Sequence, residues 1–266
     1  MKLLIAGTCR DIEKYWKNTE KSLDIIFNSV EDYICVIVES NSSDNTLECI
    51  NKWALEEKDK RIIISLGKLD ESIYNRTMRI AKGRNTYMKY FKDNNLFDNN
   101  KYEYKYEYML VLDLDDILNI ESNFKEQLNS CFKITDWDAM SSNRNDKYYD
   151  IWALRSNSEI LNCDFDCNSL DNSQIIVNIC KFTKKRIITK ISYNEKQQEY
   201  NKNHSTLVKN IPRNYGFIEC SSAFGGMTLY KINMIKDKSY NGDVTCEHIS
   251  FHEGLKMFIN CEFISG

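Results

Sequence analysis

Short apolar runs rich in β-branched residues recur along the first 116 residues, and most are followed by polar turn residues and then by apolar positions at helical spacing. Lys2 to Ala6, Tyr33 to Val38, Arg61 to Leu66 and Tyr108 to Leu112 are such runs, and each predicts a strand. Between them, Ile12 to Val30 carries Ile12, Trp16, Leu23, Ile26 and Phe27 at helical spacing, and Leu47 to Leu55 repeats the pattern. A third helix is predicted over Ser72 to Phe91, with Ile80, Tyr87, Met88 and Phe91 as its apolar positions, and the Asn-, Tyr-, Lys- and Glu-rich stretch Asp93 to Tyr108 reads as a loop. Strands alternating with helices predict an α/β fold with a Rossmann-like, mostly parallel central sheet flanked by helices.

The pattern loosens further on. Ala139 to Pro212 is polar and irregular, with a strand expected at Ile175 to Cys180 and a Lys-rich run over 181–190. Phe217 to Tyr230 contains Gly225-Gly226, and Cys246 to Phe258 carries two of the three histidines. A length of 266 residues suits one domain, with 1–116 as one half and 117–266 as the other, the latter holding an irregular insertion around 156–212. A hydrophobic fraction of 42% argues for a packed core. A net charge of −3 makes nucleic acid an unexpected partner, since such binders present a basic face to phosphates. No apolar run approaches the roughly 18 residues of a transmembrane span, and Leu3 to Ala6 is too short for a signal peptide, so a cytoplasmic protein is expected. Ten cysteines without a CxxC pair read as reduced thiols.

Ligands in parallel α/β sheets bind at the carboxyl ends of the strands, and the polar clusters of this chain lie there: Thr8 to Asp11, Glu39 to Thr46 and Asp113 to Asp116. The sharpest is Val111-Leu-Asp-Leu-Asp-Asp116, an apolar strand delivering three carboxylates at its tip. Carboxylates held so close repel one another unless a cation or hydrogen-bond donors offset the charge. A blander reading makes Asp116 the cap of a helix starting at Ile117. Near the C-terminus, Cys246-Glu-His-Ile-Ser-Phe-His252 places Glu247 beside two histidines four apart, which share a face in a helix and in a strand alike. Gly225-Gly226 allows close backbone approach, and Trp152 offers a flat face on which a ring could stack.

Asp113-Leu-Asp115 resembles the DxD motif of GT-A glycosyltransferases, and Glu39-Ser-Asn-Ser-Ser-Asp-Asn-Thr46 resembles the acidic turn after their second strand. Arg76-Thr-Met-Arg-Ile-Ala-Lys-Gly-Arg-Asn85, Trp137-Asp-Ala-Met-Ser-Ser-Asn143 and Tyr148-Tyr-Asp-Ile-Trp-Ala-Leu-Arg155 are similar to the fungal capsule-associated mannosyltransferase type. The likeness spans roughly 1–155 and 215–262. It implies metal-dependent transfer of a sugar from a UDP- or GDP-sugar donor to a glycan, lipid-linked or protein acceptor, with Mn²⁺ or Mg²⁺ as the cofactor. By the same resemblance, Asp115 binds the ion, Asp113 reaches the ribose or a metal-bound water, and Arg10, Glu39, Asn41, Asp44 and Arg84 serve the donor. A C-terminal histidine completes the metal site, with His252 preferred to His248. On the acceptor side the expected residues are Asp150, Trp152, Gly225 and Gly226, with Glu247 as the base in preference to Glu219. Two rivals are a nucleotidyltransferase of similar fold, which would carry a Gly-rich N-terminal signature where only Gly7 stands, and a catalytically silent nucleotide- or glycan-binding module.

Overall fold

The computed structural model describes residues 1–98, 106–148, 150–158, 162–163, 177–179, 186–188 and 210–266. Its first four strands are β1 (Lys2–Cys9), β2 (Asp32–Glu39), β3 (Arg61–Ser65) and β4 (Tyr108–Asp113). Between and after them come α1 (Trp16–Asn28), α2 (Thr46–Ala54), α3 (Arg76–Asp93) and α4 (Phe124–Ser130). The second half contributes β5 (Ala139–Asn143), two short ribbons formed by β6 (Ser156–Asn157) with β7 (Asn162–Cys163) and by β8 (Val177–Ile179) with β9 (Arg186–Ile188), then β10 (Phe217–Cys220) and β11 (Met227–Lys231). Helices α5 (Ile232–Ile235) and α6 (Glu247–His252) precede the last strand, β12 (Met257–Ile264). The Lys-rich run at 181–190 lies mostly outside the described residues.

Among the described residues eight strands form one sheet in the order β10-β12-β5-β11-β4-β1-β2-β3. Strands β1 to β4 are mutually parallel, as is β5 with β12, whereas β11 runs antiparallel between β4 and β5, and β10 antiparallel to β12. The continuous apolar runs have a direct cause: the sheet is buried on both faces. Leu4, Ala6, Val36, Val38, Met109 and Val111 point into one core layer with α3 and α6. Leu3, Ile5, Cys35, Ile37, Leu110 and Leu112 point into the other, with α1, α2 and α4. Among the described residues no helix is long and apolar enough to cross a membrane.

Element ends follow local chemistry. Helix α3 begins at Arg76, later than the expected Ser72, because Asn75 is extended and its side chain accepts the Thr77 N–H at 3.0 Å. The helix that the blander reading starts at Ile117 under an Asp116 cap does not form. Asp115 Oδ1 instead accepts the Ile117 N–H at 3.3 Å, closing a turn, and α4 starts only at Phe124. Parallel register aligns the polar strand ends: Thr8 pairs with Asp113, and Cys9 with Glu39.

Candidate active site

A cavity of about 620 Å³ opens over those aligned strand ends. Thr8, Cys9 and Arg10 come from the end of β1, Ser40 and Asn41 from the turn after β2, and Asp113, Leu114 and Asp115 from the end of β4. Helix α3 supplies Arg76, Arg79, Ile80, Gly83 and Arg84, spaced so that they share one helical face. Gly83 permits the approach, since a Cβ there would come within 3.1 Å of Thr8 Cγ2. Ile151 and Trp152 with Asp150 close one side, and Cys246, Glu247 and His248 at the start of α6 close another.

Arg84 ties the walls together. Its Nη2 donates to Asp113 Oδ1 at 3.1 Å and its Nε to Glu247 Oε1 at 3.1 Å, with side-chain exposures of 4%, 20% and 5% for Arg84, Asp113 and Glu247. The guanidinium also lies 4.9 Å from the Phe224 ring and 5.7 Å from that of Tyr240. Burial works against its charge, but Tyr87, Asp113 and Glu247 outweigh burial and hold its pKa well above the usual arginine value. The carboxylates respond oppositely. Burial first, and then the neighbouring Asp113 charge, pushes Asp115 up to about 6 and Asp150 up to about 7.

The two histidines have separate fates. Four apart on α6, their rings stack 5.2 Å apart. His252 has Nδ1 2.8 Å from Ser222 Oγ and Nε2 2.7 Å from Tyr230 Oη, so both ring nitrogens are taken up by core hydroxyls. A ring so committed has no lone pair to spare for an ion, and His252 does not line the cavity. The expectation that His252 completes a metal site is therefore withdrawn. His248 does line the cavity, stacked 4.0 Å from Phe224, with both ring nitrogens buried and without a hydrogen-bond partner among the described residues. Burial, then Arg84, holds its pKa well below the usual histidine value, so it is a neutral imidazole.

Of the other sequence candidates, Arg10, Asn41, Arg84, Asp113, Asp115, Asp150, Trp152 and Glu247 line the cavity. Glu39 does not: Oε1 accepts the Ser42 N–H at 2.9 Å and Oε2 the Ser65 hydroxyl at 2.6 Å, so its carboxylate joins β3 to the turn after β2. Asp44 accepts N–H groups from Thr46 and Glu13, anchoring the start of α2 to the loop after β1. Gly225 packs against protein, since a Cβ there would lie 2.1 Å from the Ser142 carbonyl oxygen. Gly226, at φ +90°, packs beside Ile117 and Ser265. Neither glycine lines the cavity, and neither does Glu219, which stands on β10. Sequence reasoning missed Arg76 and Arg79 as wall residues. Their spacing from Arg84 along one helical face was the signal that could have found them.

No family model matches the sequence, and no curated protein matches it. Solved structures do resemble its fold. S. aureus TarS, residues 1–349, is 13% identical, with a TM-score of 0.46 over 97% of this chain and 58% of that one. The mannosyltransferase PcManGT from Pyrobaculum calidifontis, in complex with GDP-Man and Mn²⁺, is 10% identical, with a TM-score of 0.48 over 98% of this chain and 55% of that one. Glucosyl-3-phosphoglycerate synthase from Mycobacterium tuberculosis, with Mn²⁺, UDP and glucosyl-3-phosphoglycerate, is 9% identical, with a TM-score of 0.38 over 88% and 58%. The chain thus spans a little over half the length of these three structures.

Proposed function

We propose that the chain is a metal-dependent glycosyltransferase of the GT-A type, moving a sugar from a UDP- or GDP-sugar to a glycan, lipid-linked or protein hydroxyl, with 1–116 holding the donor and 117–266 the acceptor. The observation that carries this reading is the convergence of Asp113, Asp115, Arg84 and Glu247 on one cavity at the carboxyl ends of parallel strands. Such a rim suits a nucleotide, and opposed charges at its base suit a diphosphate leaving group.

The residues fit a divalent ion of the Mg²⁺ or Mn²⁺ kind. Among the described residues no three His, Cys, Asp or Glu side chains gather to hold an ion unaided. That is the usual arrangement where one or two carboxylates share the ion with substrate phosphates. Asp115, pushed up to about 6 by burial and by Asp113, is a carboxylate whose ionised form a cation would relieve. Asp115 would hold the ion, Asp113 would face the ribose or a bound water, and the neutral His248 ring would offer a nitrogen donor that adds no repulsion. When bound, the ion offsets charge on the diphosphate. Arg84 holds Asp113 in place and brings a permanent positive charge to the departing nucleotide. Arg10 and Asn41 line the donor end, and Trp152 supplies the apolar face for an acceptor sugar.

The test is nucleotide release from a panel of UDP-, GDP- and CMP-sugars, with Mn²⁺ and with EDTA. Metal-dependent release from at least one donor is the expected result. Retained UDP or GDP binding without release from any donor would convert the reading to a silent nucleotide-binding module.

A further inference from the structure

We propose that Asp150 takes the proton of the attacking hydroxyl, and that Glu247, the expected base, instead positions Arg84. The proposal rests on the glycosyltransferase reading and adds to it a direct, inverting displacement.

Glu247 is poorly placed for proton transfer. Its Oε1 accepts from Arg84 Nε at 3.1 Å, its Oε2 lies 3.7 Å from Cys246 Sγ, and its side chain is 5% exposed. A guanidinium does not give up its charge, so it keeps the Glu247 carboxylate engaged in an ion pair with Oε1 already occupied.

Asp150 stands on the same cavity with different commitments. Its Oδ1 accepts the Ala153 N–H at 3.2 Å, which orients the carboxyl, and among the described residues no donor is bonded to Oδ2. The turn that carries it is anchored: Ile151, Ala153 and Leu154 are buried in the core. Arg155 N–H donates to Ser222 O at 2.8 Å, and the Ser221 N–H donates back to Arg155 O at 2.9 Å. Asp150 and Trp152, two residues apart, therefore present a carboxylate and a flat ring to one space. A sugar lying on the ring would offer a hydroxyl to the acid. The groups facing Asp150 are Asp113 from β4, Glu247 from α6 and Arg84 from α3. Burial and the two acids outweigh the Ala153 N–H and Arg84, leaving a carboxyl near neutrality, the range that suits a general base.

The step balances. The acceptor O–H proton passes to Asp150 Oδ2 while the oxygen lone pair forms the bond to the anomeric carbon. The bond from that carbon to the diphosphate oxygen breaks, its electron pair leaving with the nucleoside diphosphate.

Water can stand in for the unidentified acceptor, since it too must lose a proton, whereas azide attacks without one. The experiment measures donor hydrolysis and glycosyl azide formation by wild type and Asp150→Asn, using whichever of UDP-glucose and GDP-mannose the wild type consumes. Binding of UDP with Mn²⁺ and the thermal midpoint are followed alongside. The expected result is hydrolysis reduced about 100-fold or more, with azide transfer, UDP binding and thermal midpoint near wild type. Hydrolysis within about threefold of wild type, or hydrolysis and azide transfer falling together, would overturn the proposal. Loss of UDP binding in the variant would overturn it as well, by making Asp150 a donor-site or structural residue. A wild type inert towards every donor would instead sink the glycosyltransferase reading itself.

Discussion

Arg84 and Glu247, separated by 163 positions in the chain, meet at 3.1 Å in the wall of the cavity. The contact couples α3 to α6, and through the second arm of the guanidinium it couples both to Asp113 at the end of β4. Removing the arginine would leave two acidic groups facing each other in a buried place. Arg84→Ala is expected to lower unfolding free energy by about 3–5 kcal/mol, as for other broken buried pairs. Arg84→Lys should also lose activity, because an ammonium cannot reproduce the two-armed geometry. Urea unfolding and donor turnover check the two parts.

Asp115→Asn should abolish metal-dependent nucleotide release while leaving the fold intact. It should also make the metal-free protein more stable above about pH 6. Folding raises the Asp115 carboxyl from 3.8 to about 6, so the native state binds the proton more tightly than the unfolded chain does. Native stability on this account falls as pH rises from about 4 to 6, and the amide escapes that loss. Thermal midpoints at pH 7.5, with EDTA and with Mn²⁺, read both effects: the midpoint with EDTA should rise in the variant and the Mn²⁺-induced shift should vanish.

Trp152→Ala should raise acceptor KM roughly three- to tenfold, the scale of one lost aromatic contact. Donor KM should stay near wild type, since the proposed function assigns the ring to the acceptor and the strand ends to the donor. A matching rise in both constants would count against the assignment.

Burial and Arg84 depress His252 to about 3, against an unfolded value near 6.5. The folded state then binds fewer protons than the unfolded chain between these values, so the stability contributed by the neutral ring is full above about pH 6.5 and drains away towards pH 3. His248 is depressed in the same direction. The stability that His252→Gln costs, read from urea unfolding, should be largest at pH 7 and shrink on acidification from pH 6.5 to 4, since the opposite contribution of Asp115 is common to both proteins and cancels in the difference. A cost that stays constant across that range would refute the assignment.

Gly225→Ala is expected to destabilise the fold by about 1–3 kcal/mol, because the new methyl collides with the main-chain oxygen of Ser142 at 2.1 Å rather than with a movable side chain. The same substitution should leave donor KM unchanged in the protein that does fold, as Gly225 packs against β5 and not against the cavity.

Much of the frame was legible in the chain itself. Strands buried on both faces must be continuously apolar, so the four runs from Lys2 to Leu112 announced a parallel sheet, and the polar clusters closing three of them marked the rim where Thr8, Asn41 and Asp115 meet the cavity. Helix α3 was legible for the same reason, its apolar positions recurring with the helical period while Arg84 falls on the face towards the strand ends. Tertiary structure alone decided how the polar side chains are used. Glu39 and Asp44 look like ligand groups in one dimension, yet their oxygens are consumed by Ser42, Ser65, Thr46 and Glu13. His248 and His252 are equivalent by spacing, and only Ser222 and Tyr230, 30 and 22 positions away, distinguish the occupied ring from the one that lines the cavity. The antiparallel insertion of β11 and the pairing of Arg84 with Glu247 are equally invisible to local reading. Hydrophobic periodicity reports which way a regular element faces, but a hydrogen bond depends on the donor or acceptor that folding brings alongside, and that partner can come from anywhere in the chain.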